Sequence, residues 1–119
     1  MKILIVDDEK VICEAFKEIL EEDGYDVQTA ANGNEALQKV QQMQYDLVFL
    51  DVLMPRMEGR EVFEKMKQVT KVPVAIMSGY IPQHKEKEIL GLGAVACFKK
   101  PLDLAQVKKL IESLKSQKK

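Results

Sequence analysis

Three short apolar runs, Ile3-Leu4-Ile5-Val6, Leu47-Val48-Phe49-Leu50 and Val74-Ala75-Ile76-Met77, punctuate the chain without polar alternation. Runs this brief and this rich in β-branched residues predict strands buried on both faces. Asp26 to Ala30 and Ala96 to Lys99 bring the predicted strands to five. Between them the spacing changes to that of helices. Ile12, Ala15, Phe16, Ile19 and Leu20 predict one buried helix face, ended at Asp23-Gly24, where glycine supplies a left-handed cap. Ala36, Leu37 and Val40 mark a second helix from Asn34 to Met43, and Glu61 to Met66 and Gln83 to Leu92 supply two more. Leu104, Val107, Leu110, Ile111 and Leu114 form a last stripe opposite Gln106, Lys108, Lys109 and Glu112. Strand and helix alternating five times predict right-handed crossovers and a parallel sheet covered on both sides, a doubly wound α/β fold.

The 119 residues suffice for one domain and not for two, so residues 1–119 are expected to form a single domain with no output domain. Hydrophobic residues at 46% and charged residues at 31% give a globular balance. The formal charge of −1 excludes an overall field that would pull the chain onto nucleic acid or membrane, so any partner must be recognised locally. Charge is nevertheless uneven. Residues 1–26 carry nine acids and three lysines, and residues 99–119 carry seven lysines and two acids, which reads as solvated helix faces and a fraying tail. Cys13 and Cys97 form no paired motif and read as buried thiols of a reducing compartment. The longest apolar run, Val72 to Met77, is far too short to span a membrane and contains a proline. A cytoplasmic location is expected.

In a doubly wound sheet, ligands bind beyond the carboxyl ends of the strands. The residues just past each strand are therefore the informative ones. Strand one is succeeded by Asp7-Asp8-Glu9, strand three by Asp51, strand four by Ser78-Gly79 and strand five by Lys100-Pro101, while strand two runs into the turn Ala31-Asn32-Gly33. If strands one and three are neighbours, Asp7, Asp8 and Asp51 converge. Two carboxylates ~4 Å apart repel by about 4 kcal/mol at an effective dielectric near 20. Something positive must separate them. Oxygen donors select a hard cation, and few protein ligands with several waters suit Mg²⁺. Lys100 offers a second cation and Ser78 a hydroxyl donor, so one aspartate would be bracketed as a transferring phosphoryl group is held. Asp51 then becomes a nucleophile able to form an acyl phosphate.

These residues resemble the receiver domain of response regulators over nearly the whole chain. The likeness rests on Ile3-Leu4-Ile5-Val6-Asp7-Asp8-Glu9, Gly24-Tyr25-Asp26-Val27, Ala31-Asn32-Gly33-Asn34-Glu35-Ala36-Leu37 and the stretch Asp46 to Pro55. It continues through Met57-Glu58-Gly59, Met77-Ser78-Gly79-Tyr80 and Lys100-Pro101. The resemblance implies the CheY-like (flavodoxin-like) strand order 2-1-3-4-5. It also implies Asp51 as phosphoacceptor, Asp8 as a direct Mg²⁺ ligand, Asp7 as a ligand through water, the Leu53 backbone carbonyl as a third ligand, and a cis bond at Lys100-Pro101. Ser78 and Lys100 would grip the phosphoryl oxygens. The implied donor is a sensor histidine kinase or a histidine phosphotransfer protein. The implied output is a reshaped surface of the fourth helix, fifth strand and fifth helix that selects a downstream protein. Such a domain catalyses only its own phosphorylation and dephosphorylation and is not an enzyme in the usual sense.

One departure from the family pattern bears on the switch. Cys97 stands where an aromatic residue usually lies three before the lysine, and Phe98 reads as an inward core residue of strand five rather than a displaced switch. Leu102 and Glu58 are mild variations. His84, among charged neighbours, reads as a surface residue; Met43, Met66 and Met77 read as core fillers, and Met54 and Met57 as flanks of the site loop. Three other functions fit the topology less well. A flavodoxin-like electron carrier would need a phosphate cradle where Asp7-Asp8-Glu9 stand, and would be coloured. A phosphatase with an aspartyl intermediate would carry its two acids two residues apart and needs a cap. A receiver used only for binding, never phosphorylated, would not require Asp7, Asp8, Asp51, Ser78 and Lys100 together.

Overall fold

The computed structural model describes residues 1–54, 57–79 and 83–117, and at positions 53, 54, 57–60, 83–85 and 117 it describes the backbone alone. Pro55, Tyr80, the last two lysines and the side chains of Leu53, Met54, Met57, Glu58 and His84 therefore lie outside the described residues. Five strands form one sheet: β1 (Lys2–Val6), β2 (Asp26–Ala30), β3 (Leu47–Asp51), β4 (Val74–Ser78) and β5 (Ala96–Lys99). Their order is β2-β1-β3-β4-β5, every pairing parallel, as the pattern and the resemblance predicted. The crossovers carry α1 (Lys10–Glu22), α2 (Gly33–Gln42), α3 (Gly59–Val69) and α4 (Gln83–Gly91), and α5 (Leu104–Gln117) closes the chain order. The patterns did not predict a two-residue antiparallel ladder, Leu53–Met54 against Met57–Glu58, because so short a pairing has no periodicity of its own.

Strand side chains alternate between two layers, which is why the central runs are apolar at every position. Leu4, Val6, Val48, Leu50, Val74 and Ile76 pack on one side with Ala36, Val40, Phe63 and Met66. Ile3, Ile5, Leu47, Phe49, Ala75 and Met77 pack on the other with Phe16, Leu20, Val107 and Ile111. Within the second layer Phe49 meets the Phe16 ring edge-on at 5.0 Å and lies 6.3 Å from the Phe98 ring. Phe98 is thus a core residue, as its sequence position suggested.

Helix α1 differs from expectation in rotation. Cys13, Phe16 and Leu20 are its buried residues, whereas Ile12 is 44% exposed and Ala15 is also exposed. The five-residue stripe is wider than the sheet-facing surface, and its outer part lines an apolar groove instead. Gly24 after α1 takes φ +90, the left-handed turn foreseen for it. Helix α2 begins one residue earlier than predicted, because the Asn32 side chain accepts the Glu35 N–H at 2.8 Å while Glu35 Oε2 accepts the Ala31 N–H at 3.1 Å. Asp23 pairs with Lys108 at 3.3 Å and Lys115 lies 5.3 Å from the Tyr25 ring centre, so the acidic α1 end and the basic α5 partly face each other.

Cys13 is buried, but Cys97 is only half-buried, a correction to the reading of both as buried. Burial first, then the Asp7 charge, pushes the Cys13 thiol up to about 11; burial, then Glu86, does the same to Cys97. The ordinary value is 9.0, so both thiols stay protonated in the fold after the unfolded chain has ionised. The stability they contribute is whole below pH 9 and is lost as pH rises from about 9 to about 11. The urea midpoint is therefore expected to fall across that range. Cys13→Ala with Cys97→Ala should flatten the fall, and an unchanged slope in that variant would contradict the assignment.

Candidate functional site

Strand register builds the site. Val6 pairs with Leu50, so Asp7 and Asp51 emerge side by side. Asp51 pairs with Met77, placing Ser78 one step further on, and Ser78 pairs with Lys99, one residue before Lys100. Positions 7, 51 and 100 also share the alternation of Ile5, Phe49 and Phe98, so all three point to the layer of α1 and α5. Adjacency of strands one and three, the condition on which convergence rested, is thereby met.

Asp7 and Asp51 are 2% exposed and Ser78 is fully buried, whereas Asp8 stands exposed at the rim. One oxygen each of Asp7, Asp8 and Asp51 lies within 4.8 Å of the others. An all-oxygen donor set with one open flank suits a hard cation that keeps waters. Lys100 enters from the opposite side: Nζ donates to Asp51 Oδ2 at 2.7 Å and to Asp7 Oδ2 at 2.8 Å. Burial by itself would lower the lysine's pKa. The hydrogen bonds to Asp51 and Asp7, joined by their charges, outweigh it and hold the ammonium above its ordinary range. The Lys100 amide donates to the Ser78 carbonyl at 2.8 Å, and the Lys100-Pro101 bond is cis, as the resemblance implied.

The structure thus brings together Asp7, Asp8, Asp51 and Lys100, with Ser78 on the adjoining strand end. Leu53 lies two residues beyond Asp51 in the short ladder. Sequence reasoning gave no role to Glu9, whose Oε1 also accepts from Lys100 Nζ, at 3.3 Å. The only available signal was its place as the third acid after β1. Beside the site, α1 and the segment from Lys100 to Leu104 enclose an apolar groove of about 300 Å³, lined by Ile12, Ala15, Ile19, Leu102 and Leu104.

A parallel sheet of this order gathers three acids and a lysine at its carboxyl edge, where doubly wound folds bind their ligands. The response regulator receiver domain model matches residues 3–112, and the chain belongs to that family. The transcriptional regulatory protein CpxR homolog of Haemophilus influenzae is 38% identical over 92% of this chain, which spans only 50% of that protein. Sporulation initiation phosphotransferase F of Bacillus subtilis is 37% identical over 93% of this chain and 90% of its own length. The response regulator TrrA of Thermotoga maritima, solved in complex with Mg²⁺ and BeF, superposes with a TM-score of 0.84 at 35% identity, covering 95% of this chain and 97% of that one. Receiver domains are signalling domains phosphorylated on aspartate by histidine kinases or phosphotransfer proteins, and they bind Mg²⁺ at an acidic pocket. Among the described residues, no helix is long and apolar enough to cross a membrane.

Proposed function

We propose that this chain is a phosphoacceptor switch of a two-component or phosphorelay system, acting in the cytoplasm and modified on Asp51. The observation that carries this reading is the Lys100 ammonium bridging buried Asp51 and Asp7, with Asp8 near enough to complete an acid triad. Asp8 and the Leu53 carbonyl would hold Mg²⁺ directly with Asp51, and Asp7 through water. The ion supplies charge neutralisation on the phosphoryl oxygens. An Asp51 oxygen attacks the phosphorus of a phosphohistidine in line. The new P–O bond forms as the P–N bond breaks, and the imidazole leaves with the electron pair. Lys100 then turns from Asp51 to the phosphoryl oxygens, and Ser78 donates to another.

The donor is a sensor histidine kinase or a histidine phosphotransfer protein, and the groove beside Asp7 and Lys100 offers it an apolar seat next to the phosphoacceptor. The output surface is the α4, β5 and α5 face, where Leu90 of α4 is 40% exposed. Nearly two added negative charges at the rim shift a pre-existing equilibrium of that face toward the form its partner binds. The downstream partner is a protein; neither nucleic acid nor membrane is a direct ligand of this unit.

Acetyl phosphate with Mg²⁺ is expected to add one phosphoryl group by mass. Beryllofluoride with Mg²⁺ is expected to shift amide resonances from β4 through β5. A wild type unchanged in both mass and spectrum would leave only the receiver used purely for binding.

A further inference from the structure

We infer that Glu9 is a positioning residue for Lys100: its carboxylate takes a share of the ammonium and so frees Asp7 and Asp51 to receive a divalent ion. This role rests on the Mg²⁺-dependent reading given above. An ammonium has three hydrogens, and Lys100 faces three carboxylates, Asp51 at 2.7 Å, Asp7 at 2.8 Å and Glu9 at 3.3 Å. Two of these acceptors belong to the triad that would gather a cation, and Glu9 does not. Lysine and cation therefore compete for the Asp7 and Asp51 oxygens, and Glu9 is the acceptor that holds Lys100 at the edge when the cation wins.

Backbone geometry prepares Glu9 for this. Its amide donates to Asp7 Oδ1 at 2.9 Å, and its carbonyl accepts the Cys13 N–H at 3.0 Å. Asp7 thus grips Lys100 with one oxygen and the Glu9 backbone with the other. Glu9 also occupies the position before α1, where side chains commonly cap the helix, yet it makes no capping hydrogen bond. Its side chain, 55% exposed, reaches the lysine instead. Being the most solvated and longest of the three contacts, it is the one whose geometry can adjust as Lys100 moves outward.

The test is a double-mutant cycle read by calorimetric Mg²⁺ titration. Glu9→Gln should raise the Mg²⁺ dissociation constant about two- to fivefold, the range of a partly exposed ion pair. The same substitution in a Lys100→Met background should change it little. An equal factor in both backgrounds would make Glu9 a plain charge or a ligand and overturn the proposal, as would no change in either. In metal-free protein, which needs no Mg²⁺ and no Lys100 variant, Glu9→Gln should shift the Lys100 Nζ resonance; an unmoved resonance overturns the contact itself. A wild type that binds no Mg²⁺ overturns the underlying reading, and this role with it, whatever the resonance does.

Discussion

Asp51→Asn is expected to fold like the wild type and to take up no phosphoryl group from acetyl phosphate or a phosphorylated histidine donor. Chemistry and stability separate at this residue for a reason visible in the contacts. The amide keeps the shape but is a poor nucleophile toward phosphorus, so incorporation should drop below detection rather than fall by a modest factor. The fold meanwhile loses one of two neighbouring negative charges, and Lys100 keeps its 2.8 Å bond to Asp7. No buried charge is stranded. Intact-mass spectrometry after incubation with acetyl phosphate and Mg²⁺ measures the first effect, and urea denaturation the second. Phosphoryl incorporation in Asp51→Asn at the wild-type extent would place the acceptor elsewhere.

Lys100→Met has the opposite profile in metal-free protein. The thioether retains much of the apolar stem but withdraws the cation that Asp7 and Asp51 share. Oxygens of these acids lie within 4.8 Å, where like charges repel by about 3.5 kcal/mol at an effective dielectric near 20. Breaking a buried pair by removing one partner commonly costs about 3–5 kcal/mol. A loss of about 3 kcal/mol in unfolding free energy at neutral pH is expected. Saturating Mg²⁺ should restore much of it, since the ion stabilises the folded state that binds it. Equal urea midpoints for Lys100→Met and wild type without Mg²⁺ would show that solvent, not Lys100, neutralises the acids.

Much of this was legible in the sequence because burial on both faces leaves a plain mark. Ile3 to Val6 and Leu47 to Leu50 could be nothing but interior strands, and the polar residue after each had to arrive at one edge. Asp7, Asp51, Ser78 and Lys100 were visible for that reason. What stayed hidden depends on angles that periodicity does not encode. A stripe of five apolar positions on α1 could not show that Cys13 rather than Ile12 would meet the sheet. Glu9 sits next to Asp8 in the chain, yet its link to Lys100 spans 91 residues and arises only after β1, β3 and β5 are assembled. Cys97 looked like interior packing because its neighbours are apolar, but an edge strand shields only part of it.

The pairing of Val6 with Leu50 has a consequence for which changes in length the chain can absorb. Inserting or deleting one residue inside β3 would send the acid at its end into the opposite layer and bury apolar side chains against the wrong helices. Lineages can therefore lengthen the turns that enter these strands, but hardly the strands themselves, and the chemistry and the core would be lost in the same step.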